Sequence, residues 1–167
     1  MMMMNNAQKV RPARNKSCAR SLAILVVGLA GGHLTTDTRF QKIAFLVDRE
    51  VLGSKVKFEP REFGPYSDEL EKVVDKLAKE HKLLRVSDDN GVVHYYLTRK
   101  GEEELGLVMT SIGEDKARHA KDIVERFKDS PLDYILAYVY SKYEEYTSRI
   151  DTEVLYKFEE WRKKYNL

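Results

Sequence analysis

FGPYSDELEKVVDK (Phe63–Lys76) is the stretch from which the rest of this chain can be read. Glycine permits a turn at positive φ and proline fixes the next φ, so Gly64-Pro65 marks a corner. Ser67 has the side chain of a helix N-cap, and Asp68 and Glu69 suit the positive end of a helix dipole. Leu70, Val73, Val74 and Leu77 recur at helical spacing, which predicts a helix over 68–82 with His81 on its buried side. The opposite face carries Asp68, Lys72, Asp75, Lys76 and Lys79. Asp68 and Asp75 each precede a lysine by four residues, the spacing of an exposed ion pair.

Downstream, Leu83 to Val86 alternates as a strand, Asp88-Asp89-Asn90-Gly91 makes a turn, and Val92 to Leu97 returns. Thr98 caps a fourth helix over about 99–109. Upstream, Leu22, Leu25, Val26 and Leu29 predict a helix over 19–30 that Gly31-Gly32 stops. A second helix starts at Thr36 or Asp37 and runs to 52. Phe40, Ile43, Ala44, Val47 and Val51 form its stripe, with Arg39, Lys42 and Arg49 off it. Lys55 to Phe63 alternates and predicts an edge strand ended by Pro60. Helices delivering the chain into a β-hairpin define an α+β, mostly helical fold: a winged helix (three helices plus the hairpin) over 19–110. Residues 111–167 read as a C-terminal helical extension for dimerisation or partner binding. Its helices cover about 114–128, then a segment from Ser130 as cap and Pro131 in first position, then about 152–165.

The 167 residues carry 29 basic and 27 acidic groups. Residues 1–20 hold five of the basic ones and no acid, which leaves the remainder three acids in excess. A folded body with that balance is not a nucleic-acid binder in bulk. Residues 1–18 read as a disordered basic tail. Residues 102–167 hold 11 basic against 15 acidic groups, which suits a partner surface better than a phosphate surface. The single cysteine, Cys18, excludes an intrachain disulfide and fits a reducing, cytoplasmic setting. The longest apolar run, Leu22 to Ala30, is far short of the roughly 20 residues of a membrane span.

No reaction centre is legible. His33, His81, His94 and His119 are scattered without metal-ligand spacing. Gly28, Gly31 and Gly32 lack the lysine of a phosphate-cradling loop. Tyr134, Tyr138, Tyr140, Tyr143 and Tyr146 share a helix with acids and suit packing. The reading is a protein that is not an enzyme and uses no metal or cofactor.

A winged helix places its third helix in the major groove and its hairpin against the flanking backbone. Phosphate contact needs positive charge, which nominates Lys72, Lys76, Lys79, Lys82, Arg85, Arg99 and Lys100, with Lys9, Arg11, Arg14 and Lys16 of the tail. Asp68, Glu69 and Glu71 crowd the helix start, and Asp88 and Asp89 make the hairpin tip acidic. The expected function is therefore a homodimeric transcriptional regulator holding double-stranded DNA by its backbone, with strong salt dependence. The alternative is a winged helix that contacts a protein partner, as an antitoxin or adaptor does.

RFQKIAFL (Arg39–Leu46), FEPREFGPYSDEL (Phe58–Leu70) and YYLTRKGEEE (Tyr95–Glu104) together resemble an uncharacterised, mainly archaeal winged-helix family with an LQK-apolar-FL…YGPYS-x-EL…LT-x-KG pattern. PLDYILAYVYSKYEEYT (Pro131–Thr147) is similar to that family's C-terminal helix, so the resemblance covers about 36–147. The QK and GP elements are more distantly similar to the Panacea/SocA-like domain of antitoxins and protease adaptors. Phe63 stands where tyrosine is common, and Glu144 where proline is common. The resemblance implies transcription-factor-like architecture and no particular activity.

Overall fold

A computed structural model describes residues 18–167. The tail residues Lys9, Arg11, Arg14 and Lys16 lie outside them. Helix α1 (18–29) is buried nearly throughout, Leu22 to Val27 having no measurable exposure. Strand β1 (His33–Thr35) follows, then α2 (Asp37–Val47), which runs into a π-turn at Asp48–Leu52. A short hairpin, β2 (Glu59–Arg61) and β3 (Gly64–Tyr66), precedes α3 (Asp68–Lys79). Strands β4 (Leu83–Ser87) and β5 (Val93–Leu97) lead to α4 (Arg99–Ile112). Helices α5 (Glu114–Phe127), α6 (Leu132–Lys142) and α7 (Thr152–Tyr165) complete the chain.

The sheet is antiparallel in the order β1-β5-β4, with His33 opposite Tyr96 and Leu83 opposite Leu97. Strand β1 has no counterpart in the sequence reading. At three residues it is too short for alternation to show, and the ladder to β5 holds it. The expected edge strand over 55–63 is displaced: 55–58 is not strand, and Pro60 pairs with Pro65 inside the small hairpin. Proline tolerates that two-stranded ribbon because its missing N–H can face away from the partner.

Helix α2 is the centre of the molecule. Every residue from Arg39 to Asp48 is buried, including the Arg39 and Lys42 that the stripe had placed outside. Their polar ends are not on the surface because each ties down backbone that has no helical or ladder partner, as a buried polar group must. Arg39 Nη1 donates to the carbonyls of Phe127 (2.9 Å) and Ser130 (2.6 Å), capping the end of α5. Gln41 accepts from Ser67 N (2.9 Å) and donates to Ser67 O (3.2 Å). Lys42 Nζ donates to Pro65 O (3.0 Å). The Asp48 carboxylate accepts from Lys55 N (2.9 Å) and Val56 N (3.2 Å), and burial pushes its pKa up against those two bonds. Ser130 does not cap α6; its hydroxyl donates to Phe127 O and Pro131 takes the cap position. One apolar cluster joins α1, α2, α3 and the sheet to Ala120, Val124 and Phe127 of α5, Ile135, Val139 and Tyr140 of α6, and Phe158 of α7.

Candidate nucleic-acid interface

Ser67 starts α3 as the sequence predicts, its Oγ accepting from Leu70 N at 3.1 Å. Its backbone is already clamped by Gln41, so the start of α3 is fixed from α2. Leu70, Val74 and Leu77 pack inward and Val73 is half-buried. The helix ends three residues earlier than predicted. Glu80 is its C-cap, and His81 takes a left-handed conformation (φ 60°) with its ring exposed, not on the buried face. The chain must reverse there so that Leu83 can enter the core.

The predicted pairs of Asp68 with Lys72 and Asp75 with Lys79 do not form. Asp68 turns back to Arg61 at 2.8 Å, and among the described residues Lys72, Asp75, Lys76 and Lys79 make no ion pair. Lys72, Lys76 and Lys79 are all exposed. Spaced at i, i+4 and i+7, they form one row about 10 Å long on the outer face of α3.

Lys82 and Arg85 are differently placed. Lys82 Nζ lies 2.7 Å from Glu104, inside a network in which Arg20 bonds both Glu80 (2.8 Å) and Glu104 (2.7 Å). The Arg20 hydrogen bond holds the Glu80 carboxyl at about 2. Burial pushes Glu104 up, but Arg20 and Lys82 outweigh it and hold it below the usual carboxylate range. This network joins α1, the end of α3 and α4. Arg85 donates to Asp37 at 2.8 Å and lies over the Tyr95 ring, joining β4 to the first turn of α2.

Arg99 and Lys100 open α4 and are exposed, with no ion pair among the described residues. Two cations on a helix N-terminus oppose its dipole, a local cost that an external anion would relieve. Thr98 fixes where they sit: its N donates to Lys82 O (3.1 Å), its Oγ1 donates to His81 O (2.6 Å) and accepts from Gly101 N (3.1 Å). A Cβ at Gly101 would fall 2.1 Å from Lys82 O, so the TRKG turn requires glycine to bring α4 against the end of α3.

At the hairpin tip the Asp88 carboxylate accepts from Asn90 N (2.8 Å) and Val92 N (3.0 Å) and lies 2.8 Å from His94 Nε2, which lowers its pKa. Asp89 is exposed beside it. His33 and His94, 61 residues apart, meet at 2.8 Å and stack with Tyr96. With exposed Leu84 and Val86 they cover the outer face of the sheet. Sequence reading missed this group because only the β1–β5 register brings the two imidazoles together. No set of three or more metal-ligating side chains occurs among the described residues. The tyrosines of α6 pack, with Arg126 lying over the rings of Tyr134 and Tyr138. No described helix is long and apolar enough to cross a membrane. Neither a family model nor a curated protein matches the sequence.

Proposed function

We propose that the chain is a winged-helix protein that binds duplex DNA through phosphate contacts, acting as a homodimeric transcriptional regulator. The observation that carries this reading is the row Lys72, Lys76 and Lys79 on α3, without an ion pair among the described residues, Asp68 and Asp75 at i−4 of Lys72 and Lys79 not taking it up. The order α1, β1, α2, α3, β4, β5, with β1 paired to β5, supports the winged-helix reading; the small β2–β3 hairpin is an insertion between α2 and α3. Arg99 and Lys100 extend the positive surface, while Lys82 and Arg85 serve internal pairs. The acids at the start of α3 keep its base-reading end negative, so the contact is to backbone and only weakly sequence-selective.

The exposed sheet face favours a second reading, a protein-contact module of the antitoxin or adaptor kind, since Leu84 and Val86 remain 43% and 48% accessible. Fluorescence anisotropy of the full-length protein on random duplex DNA at low salt separates the two. Binding that K72E/K76E/K79E abolishes is the expected result. No binding by the wild-type chain removes the DNA reading.

A further inference from the structure

A cavity of about 270 Å³ lies between the start of α2 and the β2–β3 hairpin. Thr38, Lys42, Arg61, Glu62, Phe63 and Tyr66 are among its walls. Lys42 is only 2% exposed, and Pro65 O is the one hydrogen-bond partner of its Nζ among the described residues. An ammonium there would leave two N–H groups unsatisfied in a buried site, whereas a neutral amine leaves one, carries no buried charge and keeps its lone pair. Burial agrees, lowering the group to about 7. Across the cavity, Arg61 uses Nη2 for both of its bonds, to Glu59 (3.4 Å) and Asp68 (2.8 Å), so Nε and Nη1 remain for an anion. The Phe63 ring, 44% exposed, adds an apolar wall.

We propose that this cavity is a carbonyl site, in which Lys42 forms an imine with a small aldehyde or 2-oxo acid whose anionic end is held by Arg61. A desolvated lysine supplies the nucleophile for such an adduct, and a guanidinium on the same cavity wall can hold the carboxylate of a 2-oxo acid. The Lys42 lone pair adds to the carbonyl carbon, one proton passes from nitrogen to oxygen, and the carbinolamine loses water to leave C=N. One carbonyl is consumed and one water released, with no change of oxidation state. The cavity's size limits the ligand to a few carbons, and the carboxylates of Asp37 and Glu62 on its walls disfavour an anion that Arg61 does not reach. The site is independent of the lysine row on α3 and of the DNA reading.

The test is reductive trapping of the full-length protein with glyoxylate or the neutral propanal and cyanoborohydride near neutral pH. Peptide mass spectrometry then compares Lys42 with exposed Lys72 and Lys100 in the same sample. The expected result is glyoxylate labelling of Lys42 about tenfold above those references, as for an activated amine. Arg61→Ala, a half-exposed site that leaves the core intact, should retain propanal labelling of Lys42 and lose the glyoxylate preference. Lys42 unmodified, or labelled no faster than the exposed lysines, overturns the proposal and leaves Lys42 as an internal tie to Pro65. Equal glyoxylate labelling of Lys42 in wild type and R61A overturns the role given to Arg61.

Discussion

At the scale of single residues, Lys42 has the clearest thermodynamic signature. It loses its proton near pH 7 in the folded chain and near 10.4 when unfolded. Between those values the unfolded state binds the extra proton, so stability rises with pH by up to about 1.4 kcal/mol per unit. Urea midpoints should therefore climb from pH 7.5 to 9.5, and Lys42→Met should flatten the climb. A wild-type slope that survives in Lys42→Met would rule the assignment out. Above about pH 10 the trend should reverse, because burial holds the phenols of Tyr95 and Tyr140 above their ordinary range while unfolded phenols ionise first. Gly64, next to this lysine, is the other sensitive residue. Its φ is 87°, and a Cβ would fall 2.8 Å from Tyr140 Cε1. Gly64→Ala should cost about 2 kcal/mol or more, from left-handed strain and overpacking together. Thermal unfolding measures it, and a neutral substitution would mean that the hairpin is free to shift.

At the scale of elements, α2 shows what a sequence can and cannot disclose. Its start and apolar stripe were legible, because capping by Thr36 and helical spacing are local properties, whereas the change to a π-turn after Val47 was not. The burial of Arg39, Gln41, Lys42 and Asp48 was not, because their partners are backbone groups at Phe127, Ser67, Pro65 and Val56. Polar residues beside a stripe look solvated until the elements meeting the other face are known. The β2–β3 hairpin escaped for the same reason: Pro60 reads as a stop, and only the close approach of Gly64 and Pro65 to α2 makes a strand there. The lysines of α3 are exposed, as helical spacing implied, but the expected pairs do not form: Arg61 draws Asp68 from Lys72, and nothing in the structure explains why Asp75 does not meet Lys79. The tie between α2 and α3 can be measured. Gln41→Leu leaves Ser67 N buried without its partner, while Ser67 O keeps only the bond from Glu71 N, and should destabilise the fold by about 1–2 kcal/mol or more. Chemical denaturation reads this directly, and a loss below about 0.5 kcal/mol, the range of a surface substitution, would show that Gln41 does not anchor α3.

At the scale of the whole molecule, charge decides between the two functional readings. The chain beyond residue 20 is net acidic, so any attraction to DNA must come from a local concentration of cations. Under the DNA reading Lys72, Lys76 and Lys79 on α3 supply it, with Arg99 and Lys100 at the start of α4, and each phosphate they neutralise releases counterions. Five such contacts give a slope of about −4.5 for log K against log salt concentration, and the basic residues before α1 can only steepen it. Lys72→Gln, Lys76→Gln and Lys79→Gln combined should lower the magnitude of that slope by about 2.7, whatever the starting value. The change in slope is more informative than the change in affinity, because a folding defect weakens binding without altering how many ions are released per bound molecule. Circular dichroism of the triple variant should match the wild type, since all three side chains are exposed and unpaired. If the slope stays the same while binding persists, phosphates are met elsewhere on the surface. The outer sheet face with His33, Leu84, Val86 and Tyr96 then becomes the surface to mutate next, as the protein-contact reading requires.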